Sequence, residues 1–275
     1  MTVKNRFANL YNYLVILWVL IVALGPIIWL VLSSLKVDPQ ARPGFMLPES
    51  IYLQGYISTF RDLNVMQYFG NSMFIAGVSV VLSILMISMS AYVVARMDFP
   101  GKSLVSIMLY CTMFIPATAL TYPVYNLINR LGLHDTRGAL ILIYACSGVA
   151  TSFFIIRNYY GNVPRDMEDA ARIDGCGYAQ TWFRIIFPMA RPGIMTAAIL
   201  AFFNNWNEFY WASLVIVTRE KLPVPALLST FTNAFRTNYN GLFSAIVVII
   251  LPPIILYCIF SKFFIEALSG GAVKG

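Results

Sequence analysis

Residues 7–35, FANLYNYLVILWVLIVALGPIIWLVLSSL, form one stretch without a charged side chain. A helix rises about 1.5 Å per residue, so crossing the about 30 Å hydrocarbon core of a bilayer takes about 20 mainly apolar residues. This stretch is long enough, and four more charge-free stretches follow it: residues 63–95, 103–129, 138–156 and 237–261. A further stretch, residues 192–217, is charge-free only as far as Asn207, and we extend it past Glu208 because one acid near a helix end can reach the membrane interface. The sequence therefore predicts an all-α, polytopic membrane protein with six transmembrane helices.

The composition agrees with a membrane location. Hydrophobic residues make up 59% of the chain and charged residues only 11%, whereas about a quarter of the residues are charged in ordinary soluble domains. The formal net charge is +7, but nucleic-acid binding requires basic side chains gathered on one soluble face. Here they lie in short joints between apolar stretches. The lipid bilayer is therefore an expected partner, and nucleic acid is not.

The basic residues also indicate the orientation of the chain. Cytoplasmic joints of membrane proteins carry an excess of Lys and Arg. The joint at residues 157–191 contains five arginines: Arg157, Arg165, Arg172, Arg184 and Arg191. We place this joint in the cytoplasm, together with both termini, because the number of stretches is even. Residues 33–68 and 218–240 then form external loops, and residues 262–275 form a cytoplasmic tail of a single transmembrane domain, 1–275.

The joint at residues 157–191 is predicted to form a helical hairpin at the membrane surface, because its few hydrophobic residues are spaced and prolines bound it. Acids stabilise the amino end of a helix, and glycine is common just after its carboxyl end. A first helix should begin after Pro164 and end at Gly175, and a second should cover residues 178–187. The acids of the first turn are Asp166, Glu168 and Asp169.

The spacing within this hairpin resembles a family signature. Residues 169–171, Asp-Ala-Ala, are followed after three residues by Gly175 and after nine more by residues 185–188, Ile-Ile-Phe-Pro. Permease subunits of binding-protein-dependent ATP-binding-cassette importers carry Glu-Ala-Ala, three residues, Gly, nine residues, Ile, any residue and Leu-Pro in this loop. The present sequence departs from that signature at Asp169, which keeps the charge, and at Phe187, which keeps the apolar character.

In that family the loop forms a short helix that docks into a cleft on the ATPase subunit, so the resemblance implies coupling to ATP hydrolysis by a partner. Ala170 and Ala171 would let the partner surface come close, and Asp169 would offer it a charge. The implied coupling residues are Glu168, Asp169, Ala170, Ala171, Asp174, Gly175, Ile185 and Pro188. The alternative is a surface hairpin that merely joins two spans.

The likeness narrows to maltose-type carbohydrate permeases, and among them to the smaller of the two paired permeases. It rests on Asp174-Gly175, residues 188–192, residues 206–209 (Trp-Asn-Glu-Phe) and the tail at residues 270–275 (Gly-Gly-Ala-Val-Lys-Gly). It implies an ATP-driven importer of a sugar, in particular an oligosaccharide, in the cell membrane of a prokaryote. Related importers of a glycerol phosphodiester or another non-sugar solute are the alternative.

The same resemblance implies the partners. They are a second, homologous permease, two ATP-binding-cassette ATPase subunits and an external sugar-binding protein, which should meet the loop at residues 218–240. ATP and Mg would be bound by the ATPase subunits, so no cofactor is expected in this chain.

A polar cluster in the fifth stretch is the candidate substrate path. Amides and acids are costly in lipid, so they are expected to face a protein interior or a watery path. On a helix continuing to residue 217, side chains three and four residues apart would share a face. These side chains are Asn204, Asn207, Glu208 and Trp211. Their polar groups would bind sugar hydroxyls, and the aromatic ring would lie against a sugar ring.

Tyr122 of the third stretch is a further path candidate, on a helix that Pro116 and Pro123 should bend. The alternative for the polar cluster is an interfacial aromatic belt, with amides in contacts between helices. In that case the paired permease would hold most of the sugar contacts. For Tyr122 the alternative is an aromatic side chain that only packs against other residues.

Other functions find little support in the sequence. Gly101-Lys102-Ser103 resembles the end of a phosphate-binding loop, but Arg96 stands in place of its first glycine. The single histidine, His134, and four cysteines without paired spacing predict neither a catalytic nor a metal site. An ion-driven transporter would need acids inside its spans, and only Glu208 meets that condition. The chain is therefore not expected to be an enzyme.

Overall fold

A computed structural model gives the structure of residues 3–40, 44–61, 64–231 and 238–272, with side chains from Tyr11 to Ser261 apart from Thr230. Within these ranges all regular secondary structure is helical, so the predicted all-α fold is confirmed. The last three residues of the predicted tail and residues 232–237 of the predicted external loop lie outside the described residues.

In chain order the α-helices are α1 (Val3–Ser34), α2 (Gln54–Arg61), α3 (Val65–Arg96), α4 (Lys102–Thr112), α5 (Thr121–Arg130), α6 (Arg137–Ala145), α7 (Val149–Asn162), α8 (Asp166–Ile173), α9 (Tyr178–Thr181), α10 (Phe187–Met189), α11 (Arg191–Trp206), α12 (Tyr210–Val215), α13 (Val224–Leu227) and α14 (Tyr239–Ala272). Short 3₁₀ helices cover Ala117–Leu120, Arg219–Lys221 and Leu228–Phe231, and a π-helix covers Trp182–Ile186.

Among the described residues, three helices are long and apolar enough to cross a membrane by themselves. Their apolar segments are Tyr11–Ser34 in α1, Val65–Arg96 in α3 and Tyr239–Ser261 in α14. Three further helix pairs pass the same test together but are bent, at 99° (Lys102–Thr112 with Ala117–Arg130), 49° (α6 with α7) and 81° (Tyr178–Met189 with α11). Length and composition thus give three spans, or up to six if each bent pair is one span.

Two of the bends have local causes. Pro116 is extended, with φ −61° and ψ 133°, and its ring disfavours a helical residue before it. Pro123 lies in the first turn of α5, where its missing N–H interrupts no bond of that helix, so it does not contribute to the predicted bend. Gly148, between α6 and α7, adopts φ +63°, a left-handed conformation that glycine takes without steric cost. The sequence had not indicated this bend.

The fifth predicted helix is interrupted. α11 ends at Trp206 and α12 begins at Tyr210, so a continuous helix to residue 217 is wrong. The first N–H groups of a helix lack partners within it. The carboxylate of Glu208 accepts hydrogen bonds from the N–H of Trp211 at 2.9 Å and of Ala212 at 3.2 Å. The Glu208 carboxylate therefore pairs N–H groups at the amino end of α12 and stabilises the start of that helix.

The chain forms two compact units: residues 1–66 with 227–251, and residues 67–226 with 252–275. In the first unit the amide of Asn240 donates to the carbonyls of Ser34, at 3.1 Å, and Lys36, at 2.7 Å. These bonds fasten the start of α14 to the end of α1. Trp29 and Phe243 meet edge to face at 5.3 Å between ring centroids. The single domain expected from the sequence stays a prediction.

In the second unit, the end of α3, the helix α7, the hairpin and α11 share a hydrophobic core that includes Phe153, Tyr160, Trp182 and Ile186. The Nε1 of Trp182 donates to the hydroxyl of Tyr160 at 3.1 Å, so these two buried polar atoms are paired. A Cβ on Gly193 would lie 2.2 Å from a ring carbon of Tyr159, and glycine is required for α11 to approach α7. The hairpin that carries the predicted coupling residues is therefore packed on this core.

Candidate coupling hairpin and substrate path

The helix α8 begins and ends as the sequence predicts. Its first turn carries the three acids, which the helix dipole favours. At its carboxyl end Gly175 has φ +81°. The N–H of Gly175 bonds the carbonyl of Arg172, and the N–H of Cys176 bonds the carbonyl of Ala171. This is the Schellman pattern, which needs a residue that tolerates positive φ.

The predicted coupling residues divide between two faces of this helix. Glu168 and Ala171 are buried, at 6% and 3% exposure. Asp169, Ala170, Asp174 and Gly175 are exposed. The expectation that both alanines face a partner is therefore wrong for Ala171, which packs inside the chain. The outer face also presents Met167 and Ile173, whose exposures of 47% and 87% are high for apolar side chains.

The buried carboxylate of Glu168 meets a buried cation. Its Oε1 lies 2.9 Å from Nε of Arg96, and the two side chains are only 8% and 5% exposed. The contact is a charge contact and not an aligned hydrogen bond. The Arg96 guanidinium also donates to the carbonyl of Val163, just before α8. One arginine at the carboxyl end of α3 therefore holds both the entry to α8 and the helix itself.

The second arm of the hairpin runs over residues 178–189 in three short helices. Phe187 N–H bonds the carbonyl of Trp182, five residues earlier, and Pro188 has no N–H to continue a regular α-helix. Ile185 is half-buried and Pro188 is exposed. Between this arm and α8 lies a cavity of about 340 Å³, lined by Tyr92, Arg172, Gly175, Cys176, Gly177, Tyr178 and Thr181.

At the candidate substrate path, Glu208 is engaged by the chain itself. Besides the N–H groups of α12, its carboxylate accepts a hydrogen bond from the hydroxyl of Tyr144 at 2.8 Å. Both oxygens are thus occupied by internal donors. Oε1 accepts one of these bonds and Oε2 accepts the others, so the carboxylate is oriented by the chain.

The other predicted path residues do not share one face, because of the break after Trp206. Trp211 is buried and packs in the cluster around Leu140 and Val215, so its ring is not free to lie against a sugar. Asn204, Asn207 and Tyr122 are exposed. The amide of Asn207 donates to the carbonyl of Phe203 at 2.9 Å and keeps its oxygen as an acceptor.

Two buried side chains beside this cluster carry unpaired polar atoms. Asn205 and Trp206 are 6% and 1% exposed. The amide nitrogen of Asn205 and the Nε1 of Trp206 have no hydrogen-bond partner among the residues that the structure describes. Trp206 packs on the rings of Phe69 and Phe202 at 5.8 and 5.7 Å.

On the predicted external side, Asp135 joins two turns. Its carboxylate accepts from the N–H groups of Val217 and Thr218 at 2.9 and 2.8 Å and from Lys221 Nζ at 2.8 Å. The Lys221 ammonium, the Thr218 hydroxyl and these N–H groups hold the pKa of Asp135 well below its usual range. Lys221, expected at the contact with a binding protein, is therefore engaged within the chain.

No group of three or more His, Cys, Asp or Glu among the described residues could hold a metal ion. Residues 84–269 match the family model described as the inner membrane component of binding-protein-dependent transport systems. The matched range includes the hairpin and the interrupted helices on either side of it, α6 with α7 and α11 with α12. The chain belongs to this family.

Relatives with assigned names are similar in sequence to this inner membrane component over almost its whole length. It is 30% identical to the permease protein of the diacetylchitobiose uptake system of Streptomyces coelicolor, over 98% of this chain and 90% of the relative. It is 34% identical to the permease protein of the arabinooligosaccharide transport system of Halalkalibacterium halodurans, over 92% of both chains. Its fold matches a chain of a bacterial transporter that imports the acidic polysaccharide alginate, with a TM-score of 0.84, 25% identity and coverage of 96% and 99%.

Sequence reasoning missed three residues that organise this inner membrane component. Arg96 was interpreted as the residue that stands in place of the first glycine of a phosphate-binding loop. An arginine at the end of a long apolar stretch is, however, a reasonable ion-pair partner for an acid of the hairpin. Asp135 precedes a helix start, but its partners lie more than 80 residues away along the chain. Tyr144 gave no signal, since a tyrosine in an apolar stretch does not reveal its hydrogen-bond partner.

Proposed function

We propose that this chain is the transmembrane permease subunit of an ATP-driven sugar importer, which takes up an oligosaccharide. The proposal rests on the two faces of the helix α8, in a chain that belongs to this family. Its outer face presents Asp169, Ala170 and Ile173, while Glu168 and Ala171 hold it to the rest of the chain. A short helix with one anchored face and one exposed face is suited to docking on a partner.

The proposed topology has six spans, with both termini and the hairpin in the cytoplasm. The three long helices and two of the bent pairs, Lys102–Thr112 with Ala117–Arg130 and α6 with α7, support five of these spans. The sixth is formed by α11 and α12, because Tyr178–Met189, the first member of the third bent pair, is the second arm of the hairpin. Arginines of the hairpin support its cytoplasmic side, because basic residues are retained there. In this topology the break between α11 and α12 lies inside a span, where irregular backbone is tolerated only if it is buried in protein or lines a watery cavity.

Coupling in the proposed complex runs through α8. Two ATPase subunits bind ATP and Mg, and each contacts one permease of a homologous pair. The exposed carboxylate of Asp169 and the apolar side chains of Met167 and Ile173 form the contact, with Asp174 and Gly175 at the turn. When the ATPase subunits close, they move α8, and the permease pair alternates between outward and inward access. An external sugar-binding protein delivers the solute.

The proposed solute class rests on the relatives, which are named for diacetylchitobiose and arabinooligosaccharides. An oligosaccharide needs hydroxyl-binding groups and a wide path. Asn204, Asn207 and Tyr122 are the exposed groups of this chain that can serve, and the second permease supplies further contacts. Glu208 and Trp211 do not contact the solute themselves. They hold the break between α11 and α12 in place.

The test is reconstitution of the chain with its paired permease, ATPases and binding protein in lipid vesicles. Uptake is measured with labelled amino-sugar disaccharides, pentose oligosaccharides, uronic-acid oligosaccharides and a glycerol phosphodiester. ATP-dependent accumulation of one of the oligosaccharides supports the proposal. Accumulation of the glycerol phosphodiester alone would assign the chain to an importer of non-sugar solutes, and uptake without ATP would refute the coupling.

A further inference from the structure

Arg96 and Glu168 belong to different parts of the fold. Arg96 is the last residue of α3 and Glu168 lies in the first turn of α8. Their side chains are 5% and 8% exposed and meet at 2.9 Å. Two other ion pairs on this side of the second unit are exposed: in the Asp98–Lys102 pair the aspartate is 89% exposed, and Asp169 and Arg172 are 4.0 Å apart with 67% and 54% exposure.

Burial makes the Arg96–Glu168 pair resist separation. Removing one partner of a buried ion pair leaves an uncompensated charge, which is far more costly than the loss of an exposed pair. Pulling α8 away from α3 would leave two such charges. The exposed pairs lose little when they open, because water solvates the separated ions.

The helix α8 needs such an anchor. It has eight residues, and isolated helices of this length are marginal because their nucleation is costly. Its buried residues are Glu168 and Ala171, one turn apart on one face. Since Ala171 offers only a methyl group, most of the attachment of this face falls to Glu168. Arg96 also holds the Val163 carbonyl, so the same guanidinium fixes the backbone that leads into the helix.

We infer that Arg96 and Glu168 are positioning residues for ATPase coupling, and that their buried ion pair transmits movement of α8 to α3. This inference rests on the proposed function, because it takes the outer face of α8 as the ATPase contact. Neighbouring acids then have separate tasks: Asp169 points outward to the partner, and Glu168 points inward to the span. When the ATPase displaces α8, α3 moves with it.

The experiment uses the assembled importer in vesicles with five variants: Glu168→Arg, Arg96→Glu, the double charge exchange, Glu168→Gln and Asp169→Arg. The matched control is Asp98→Lys, which reverses a charge in an exposed ion pair two residues from Arg96. Three quantities are measured: the amount of assembled complex, the binding-protein-stimulated ATPase rate, and the number of sugars imported per ATP hydrolysed.

We expect each single reversal to lower sugars imported per ATP by at least about tenfold at equal amounts of complex, because a buried charge loses its partner. The double exchange should regain about threefold or more of that loss, though less than all of it, since a glutamate at position 96 cannot donate to Val163. Glu168→Gln should fall between wild type and the reversals, and Asp98→Lys should change the ratio less than about twofold.

Three results would overturn the inference. If the double exchange is no better than either single reversal while Asp169→Arg uncouples the ATPase, the proposed function stands and the transmission through this pair is wrong. If Asp169→Arg couples normally, α8 is not the ATPase contact and both ideas fail. Should a single reversal not assemble, an assembled Glu168→Gln variant with an unchanged ratio would likewise refute the role.

Discussion

The hydroxyl of Tyr144 donates to the carboxylate of Glu208 across 2.8 Å, and so joins α6 to the break between α11 and α12. A second break follows Tyr144 directly, because α6 ends at Ala145 and Gly148 turns the chain. The bend between α6 and α7 and the break between α11 and α12 are thus fastened to each other. Glu208, expected from the sequence to bind sugar, has a structural role in holding these breaks.

A structural role for Glu208 makes a prediction that differs from sugar binding. Glu208→Leu removes the acceptor for two N–H groups and one hydroxyl. Hydrogen bonds to a charged group contribute about 1.5–3 kcal/mol each, so this variant should lower the unfolding temperature of the purified complex. Glu208→Gln, which keeps one oxygen acceptor, should lower it less, and Tyr144→Phe should lower it least. Thermal unfolding checks the order, and equal midpoints for Leu and Gln would contradict it.

The exposed amides test the substrate path. Asn204→Leu and Asn207→Leu should each lower sugar uptake by about tenfold, which corresponds to about 1.4 kcal/mol of lost binding. A lipid-facing position would instead accept leucine, since burial of an unpaired polar group in lipid is costly. The measurement is uptake of labelled sugar at equal amounts of complex. Ser90→Leu, a change at an exposed polar residue of α3, is the control. Unchanged uptake in both variants would assign the sugar contacts to the paired permease.

The docking face of α8 should be sensitive to charge and to backbone conformation. Asp169→Arg reverses the exposed charge, and Gly175→Pro imposes a φ near −65° where the helix ends with +81°. Both should reduce ATP-dependent transport at least about tenfold while the chain still inserts in the membrane. Transport and stimulated ATPase activity are measured together. A wild-type rate for either variant would show that this face does not dock.

The proposed orientation is checked with single cysteines. After Cys111, Cys146, Cys176 and Cys258 are replaced by serine, Arg172→Cys should be shielded from a membrane-impermeant thiol reagent added to spheroplasts. Arg219→Cys should react with it, because its side chain is exposed in the predicted external loop. Permeabilised spheroplasts show whether position 172 is reactive at all. Labelling of position 172 without labelling of position 219 would reverse the orientation.

Asp135 predicts an acid-resistant contact in this loop. A depressed pKa in the folded state means that the contact is fully present above the unfolded pKa of about 3.9 and is lost only as the pH falls through the lower folded value. The N–H groups of Val217 and Thr218 should therefore stay protected from hydrogen exchange at pH 4. Asp135→Ala should lose this protection at every pH, and Asp135→Asn should keep part of it. Loss of wild-type protection between pH 6 and pH 4 would refute the assignment.

The apolar stretches predict helices because a charge-free run of this length has few other uses, and α1, α3 and α14 follow those runs closely. Breaks are harder to predict. Pro116 and Pro123 look alike in sequence, but only Pro116 stands before a helix start, and nothing nearby marks Gly148 as left-handed. The hairpin was predictable to within a residue or two because its acids and Gly175 act locally. The internal contacts of Glu168 and Glu208 could not be predicted, because their partners, Arg96 and Tyr144, are distant in sequence.

The missing side chain of Gly193 also limits how this hairpin can be exchanged between transporters. Tyr159, just before the hairpin, fills the space that a Cβ at position 193 would occupy, and the two residues stand outside the signature at positions 169–188. A chimera whose exchanged segment contains only one of these two residues would place a foreign residue against this ring. The exchanged segment must therefore contain both Tyr159 and Gly193 or neither, and an exchange that includes Glu168 needs Arg96 with it.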